Sequence, residues 1–170
     1  MKEKNSCPSI AGIIFSPDRE KVLLVKRRDV PVWVLPGGGV EKGETPQLAV
    51  IREIFEETGY TSHLLRLVGK YHPINRLAKY TLLYECSIEK GEAKISDETQ
   101  GIKFFSIFRL PKLLPPPYGE WINDAYINKK EVIEKTLYSI TYFSLLKIFF
   151  LHPILVIRFL LTKIGLTIND

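Results

Sequence analysis

Cysteine is nearly missing from this chain: Cys7 and Cys86 are the only two, far apart and in no metal-ligand spacing. That excludes a disulfide framework and a thiolate metal site, and it points to a reduced, cytoplasmic compartment. A secretory signal is lacking too, since Met1 to Ser6 is polar and the first apolar run is short. No internal repeat is evident. No basic run interleaved with aromatic residues occurs outside the C-terminal stretch, which argues against a dedicated RNA surface. From Lys135 to Asn169 there is no acidic residue at all. What remains is a chain of 170 residues, enough for one domain with a sizeable core plus an appendage. Its formal net charge of +5 favours anionic partners in general, whether nucleotide, RNA or anionic lipid.

One dense stretch organises the chain. Gly38 to Tyr60 reads G-G-V-E-K-G-E-T-P-Q-L-A-V-I-R-E-I-F-E-E-T-G-Y. Pro36-Gly37-Gly38-Gly39 predicts a flexible loop where backbone can approach a ligand closely, glycine having no side chain in the way. Thr45 to Thr58 has helical spacing, with Thr45 as N-cap, Pro46 at the first helical position and Gly59 as the stop. On that helix Glu53, Glu56 and Glu57 stand at i, i+3 and i+4, so three carboxylates share a face. Leu48, Ile51, Ile54 and Phe55 form the opposing set expected to pack on a core. Stacked like charges repel, and a hard divalent cation such as Mg²⁺, which prefers carboxylate oxygens, would offset that repulsion. Glu44 can add a fourth oxygen ligand, and Arg52 can orient a carboxylate through its planar fork. The alternative for an isolated E-x-x-E-E is a solvated acidic face.

The stretch resembles the Nudix box, G-x5-E-x7-R-E-U-x-E-E-x-G-U, where U is a bulky aliphatic residue. Gly38, Glu44, Arg52, Glu53, Ile54, Glu56, Glu57 and Gly59 match at the right intervals, and Tyr60 departs from the final U. The resemblance extends more loosely over residues 8–128. It implies a mixed sheet between helices, an α/β/α sandwich, and an enzyme that cleaves a nucleoside diphosphate linked to another moiety. It also implies Mg²⁺, with Mn²⁺ as the alternative, on Glu53, Glu56 and Glu57. In such enzymes a glutamate from a loop after the box often serves as an extra ligand or the general base, and Glu98 in Ser96-Asp97-Glu98-Thr99 is the candidate. Whether Glu98 or a box glutamate deprotonates the water stays open.

Around the box, Cys7 to Phe15 and Lys21 to Lys26 are expected as two strands of a hairpin, separated by the turn-prone Ser16-Pro17-Asp18. Arg27 and Arg28 can clamp a phosphate or be solvated strand-end charges. Trp33 reads as core or as support beneath the glycine loop rather than a stacking platform. His63–Tyr71, Ala78–Ser87 and Gly101–Phe105 carry strand patterns, and His72 and Arg76 lie where they can border a substrate. Pro111 and the run Pro115-Pro116-Pro117 make a stiff connector into a helix from Trp121 to Ile127. The domain boundary is expected near Lys129-Lys130, giving a domain of 1–128 and a helical tail of 129–170.

Leu137 to Leu166 is apolar on most sides of a helix, as in a buried or lipid-facing segment. Lys147, His152, Pro153 and Arg158 weigh against a simple membrane span, since Lys or Arg near a bilayer centre costs about 2.5–3.5 kcal/mol. Two expectations survive for residues 137–166. One is interfacial attachment at the inner face of a membrane, with Lys147, Arg158 and Lys163 reaching headgroups. The other is a helical hairpin packed on the domain or on a second subunit as a homodimer. The substrate is narrowed less: no S-Q-P-W-P-F-P-x-S run occurs, and Pro73 does not stand at a subgroup spacing. ADP-ribose-like and other nucleoside-diphosphate substrates lead. RNA 5′-end pyrophosphohydrolysis and a non-catalytic, membrane-tethered nucleotide-binding module are the alternatives, and a full set of box glutamates speaks against the last.

Overall fold

The computed structural model describes residues 8–127 and 130–143, and beyond them 146, 150, 153, 154, 157, 158 and 161. Cys7, Lys147 and Lys163 therefore lie outside the described residues. Among the described residues, two sheets and the helices α1 (Pro46–Thr58) and α2 (Tyr118–Ile127) build the domain. The first sheet has the order β4-β1-β6-β5-β8, built from β1 (Ser9–Ile14), β4 (Gly37–Gly39), β5 (Thr61–Pro73), β6 (Thr81–Lys90) and β8 (Ile133–Leu137). It is mixed: β1 runs parallel to β6 and β5 parallel to β8, while β1–β4 and β5–β6 are antiparallel. The second sheet is antiparallel, in the order β3-β2-β7, from β2 (Lys21–Arg27), β3 (Trp33–Val34) and β7 (Thr99–Ser106).

Strand alternation divides the interior into two cores. In β1, Ala11 and Ile13 face one cluster and Ile10 and Ile14 the other; in β2, Val22 and Leu24 are separated from Leu23 in the same way. Trp121, Ile122 and Ala125 of α2 close the first cluster, and Ala49, Val50 and Ile54 of α1 close the second. This is the mixed sheet between helices that the box implied. A strand covered on both faces reads as a continuous apolar run, which is why Ser9–Ile14 shows no polar alternation.

Three expectations change. β1 and β2 do not form a hairpin; apart from one bridge between Phe15 and Val22 they belong to different sheets. Both are apolar on both faces, so they are buried by layers above and below, and β1 takes β4 and β6 as ladder neighbours. Gly37–Gly39 is an edge strand rather than a loop, pairing Ile10 with Gly38 and Ala11 with Gly37. The domain also runs past residue 128. Leu137 of β8 is buried in the first core, Lys135 Nζ donates to Asp124 at 2.6 Å, and Tyr71 Oη donates to the same carboxylate at 3.0 Å. The short alternating segment Ile133–Leu137 carries too little signal to be told from the tail. Leu137→Ala is expected to cost about 2–5 kcal/mol in chemical denaturation, the range for a buried leucine. An unchanged midpoint would mean that β8 is a detachable flap.

Candidate active site

The box helix forms where its sequence places it. The Thr45 hydroxyl accepts from Leu48 N–H, Pro46 occupies the first turn, and Gly59, at φ 75°, closes the C-terminus in the left-handed region. Its orientation was not legible. Ala49, Val50 and Ile54 are buried, whereas Leu48 and Phe55 are 60% and 55% exposed. The helix is rotated so that Glu53 and Glu57 lie on the seam with β4. Glu57 is only 5% exposed, while Glu56 stands in solvent.

Glycine decides how close that seam is. A Cβ on Gly38 would sit 2.3 Å from Glu53 Oε1, and one on Gly37 would sit 2.3 Å from the Ile10 carbonyl oxygen. Only backbone without side chains fits there. The Gly37 N–H donates to Glu57 Oε2 at 2.9 Å. The box glycines thus seat two carboxylates rather than forming a mobile flap.

Arg52 joins the rest. Its Nε and Nη2 donate to the two oxygens of Glu44, each at 3.0 Å, in a bidentate fork. Nη1 donates to Glu53 Oε1 and Glu56 Oε2, both at 3.0 Å, and Nη2 also reaches the Gly39 carbonyl at 3.2 Å. Glu44, expected as a fourth oxygen ligand, has both its oxygens on Arg52. That bond holds its carboxyl below the usual range.

Across from α1, the loop before β7 supplies Ser96, Asp97 and Glu98. Together with Arg27, Gly37 to Gly39, Glu41, Arg52, Glu53, Glu56 and Glu57 they line a cleft of about 540 Å³. Arg27 donates from Nε to Asp29 at 2.8 Å and from Nη2 to the same carboxylate, which fixes it at the mouth. Arg28 turns away to backbone carbonyls of residues 96, 97 and 99 and does not line the cleft. His72 pairs with Glu134 at 3.0 Å and stacks near Tyr80; neither it nor Arg76 borders the cleft. Trp33 meets Phe105 edge-on at 4.7 Å and packs against the first core.

The electrostatics are lopsided. Six carboxylates, Glu41, Glu53, Glu56, Glu57, Asp97 and Glu98, face two guanidiniums around one cleft. Burial pushes Glu57 up to about 8, against the Gly37 N–H and helped by Glu53 and Glu98; burial raises Glu53 as well. Among the described residues no three acidic, histidine or cysteine side chains converge as a ready ligand shell. The donors nevertheless suit a hard divalent cation: all are oxygens, and one is a buried carboxylate whose negative charge lacks a full counter-charge. Cys86 is a buried core residue whose thiol is pushed up to about 12 by burial, so it takes no part.

A cleft lined by carboxylates, two guanidiniums and the box glycines can take an anionic ligand together with a hard cation. Comparison with known proteins narrows this. The NUDIX domain family matches residues 6–125. A candidate 8-oxo-dGTP diphosphatase of Bacillus subtilis strain 168 is 41% identical over 115 residues, covering 67% of this chain and 76% of the relative. An ADP-ribose pyrophosphatase of Methanocaldococcus jannaschii is 38% identical over 114 residues, 62% of this chain and 66% of that one. The crystal structure of an ADP-ribose pyrophosphatase from Streptococcus suis superposes with a TM-score of 0.64 at 26% identity, over 76% of this chain and 98% of that one. The chain belongs to the NUDIX family. It is a pyrophosphohydrolase, and enzymes of this family generally use divalent metal ions.

Proposed function

We propose that this enzyme is a Mg²⁺-dependent hydrolase, with Mn²⁺ as a substitute, that cleaves the pyrophosphate linkage of a nucleoside diphosphate joined to another moiety such as ribose. The observation that carries this reading is the buried Glu57 in a cleft where six carboxylates face two guanidiniums. A diphosphate would be repelled from that cleft unless cations intervened. Glu53, Glu56 and Glu57 would hold the metal, which when bound would supply charge neutralisation at the diphosphate. Arg52 bridges Glu53 and Glu56 through one nitrogen and so fixes the two carboxylates relative to each other. Arg27, with Nε and Nη2 on Asp29, offers its remaining nitrogen to a phosphate oxygen at the mouth. Gly37, Gly38 and Gly39 let the protein backbone approach the substrate closely. Glu98, on the opposite wall, takes the proton from the attacking water. Glu44 acts through Arg52.

Chromatographic analysis of the phosphorylated products formed with Mg²⁺ tests the substrate across ADP-ribose, dinucleoside polyphosphates, NADH, nucleoside triphosphates and 5′-triphosphorylated RNA. A preferred nucleoside diphosphate derivative is the expected result. Preference for the RNA would replace this reading with 5′-end processing.

The enzyme works, on this reading, at the inner face of a membrane. Among the described residues no helix is long and apolar enough to cross one. Phe143, Leu146, Phe150, Ile154 and Ile157 are nonetheless all exposed, at spacings of three and four residues, in a segment without acidic residues. That pattern supports an apolar face entering an anionic lipid interface. A homodimer would set the same basic segment against itself. Arg158 Nε donates to the Asp29 carbonyl at 2.8 Å, so the segment also touches the loop beside Arg27. Because Leu137 belongs to the core, deleting the tail from 136 would damage the domain. Paired substitution of the exposed Phe143 and Phe150 by aspartate is the cleaner test. Vesicles of phosphatidylglycerol and phosphatidylcholine should pellet the natural chain and leave the double variant in the supernatant, with hydrolysis unchanged. Equal recovery of both would sink the attachment.

A further inference from the structure

Arg28 follows Arg27 directly, yet the two side chains diverge. Arg27 turns into the cleft, and Arg28 turns to the segment that leads into β7. Its Nε donates to the Asp97 carbonyl at 3.0 Å, and Nη2 donates to the carbonyls of Ser96 at 3.3 Å and Thr99 at 3.4 Å. Its backbone N–H donates to the Glu98 carbonyl at 2.9 Å. Every carbonyl from residue 96 to residue 99 is therefore bonded by this one arginine. Such convergence wraps the segment around the guanidinium, and the Glu98 side chain is left on the cleft side of the loop.

The loop needs that hold. Glu98 faces the carboxylates of α1, and its charge contributes to raising both Glu53 and Glu57. Like-charge repulsion would swing an untethered Glu98 toward solvent. Local bonds are long: Ser96 Oγ–H to Thr99 Oγ1 at 3.2 Å, Glu98 N–H to Ser96 Oγ at 3.3 Å and Thr99 N–H to the Ser96 carbonyl at 3.3 Å. A lysine could not replace the arginine, because a single ammonium lacks the planar fork that spans three carbonyls.

We propose that Arg28 is a positioning residue for the hydrolysis, setting the 96–99 loop so that Glu98 meets the reacting site from the wall opposite α1. This rests on the reading of Glu98 as a participant in the reaction, and goes beyond it by naming what holds Glu98 there. The loop is short and lies at the rim, so loss of Arg28 should misplace one carboxylate without unfolding the domain. Misplacement of a reacting group by about an ångström can cost as much as 10²-fold in rate.

The experiment is a double-mutant cycle in the full chain with Arg28→Ala, Arg28→Lys, Glu98→Gln and the Arg28→Ala, Glu98→Gln pair. Arg28→Ala is expected to lower kcat by about tenfold or more with little change in KM, and Arg28→Lys to recover only part of it. In the Glu98→Gln background, Arg28→Ala should add less than about twofold, because the residue through which it acts is already disabled. Hydrogen exchange at the Glu98 and Thr99 amides should quicken in Arg28→Ala while the melting temperature stays near that of the natural chain. An equal loss in both backgrounds would show a separate structural role and overturn the proposal. An impaired Glu98→Gln beside an unimpaired Arg28→Ala would remove the proposal alone. Full activity in Glu98→Gln would remove the role of Glu98, and the proposal with it.

Discussion

In Glu57→Gln, metal-dependent turnover falls by about three orders of magnitude while the fold survives. A cation in such a site supplies several kcal/mol of charge stabilisation, and about 1.4 kcal/mol is tenfold in rate. Glutamine keeps an oxygen for the Gly37 N–H, so the seam between β4 and α1 retains its bond. The variant has a second signature, in stability. Burial holds Glu57 at about 8 in the folded chain, above its ordinary 4.5. Between those values the native state binds more protons than the unfolded state, so without metal the stability contributed by this group falls as pH rises through that window. Below about 4.5 both states are protonated and nothing is lost; above about 8 the full cost is present. In chelator, the melting temperature of the natural chain should drop between about pH 5 and pH 8, and that of Glu57→Gln should drop less. Magnesium should raise the melting temperature of the natural chain most at the alkaline end, since it binds the ionised form. Natural rates in the variant, or superimposable pH profiles, would refute the role of Glu57.

Arg52→Lys is expected to be nearly as damaging, despite conserving charge. The guanidinium divides its donors among Glu44, Glu53, Glu56 and the Gly39 carbonyl, and Glu44 alone takes two of them in parallel. An ammonium can serve one or two of these partners at a time. The carboxylates left over repel one another and turn toward solvent. A loss of about 10²-fold in kcat, with a right-shifted Mg²⁺ requirement, is the expected kinetic outcome. Steady-state rates across a magnesium titration measure both. A variant with natural kcat and natural metal requirement would reduce Arg52 to a surface ion pair.

Local chemistry made much of this protein readable before any fold was known. The helix limits were set by Thr45, Pro46 and Gly59, whose preferences are local and geometric. The metal-type face followed from the spacing of Glu53, Glu56 and Glu57 along one helix. Strands β5, β6 and β7 were visible because their apolar runs end in turn residues.

The rest depended on which element lies beside which. The rotation of α1 is decided by the sheet beneath it, so Leu48 and Phe55, equally apolar, lost to Ala49 and Val50. A three-glycine stretch reads as loop until a neighbouring strand offers its hydrogen bonds, and β1 does so. Ile133–Leu137 became a strand because β5 had an open edge and Asp124 stood ready for Lys135. Arg27 and Arg28 are identical in sequence terms, and only the loops that meet them separate a cleft residue from a clamp. Spacing along one element determined the candidate chemistry; contacts between elements distant in the chain decided its burial, orientation and support, because hydrogen bonds and packing of that kind leave no local periodicity to read.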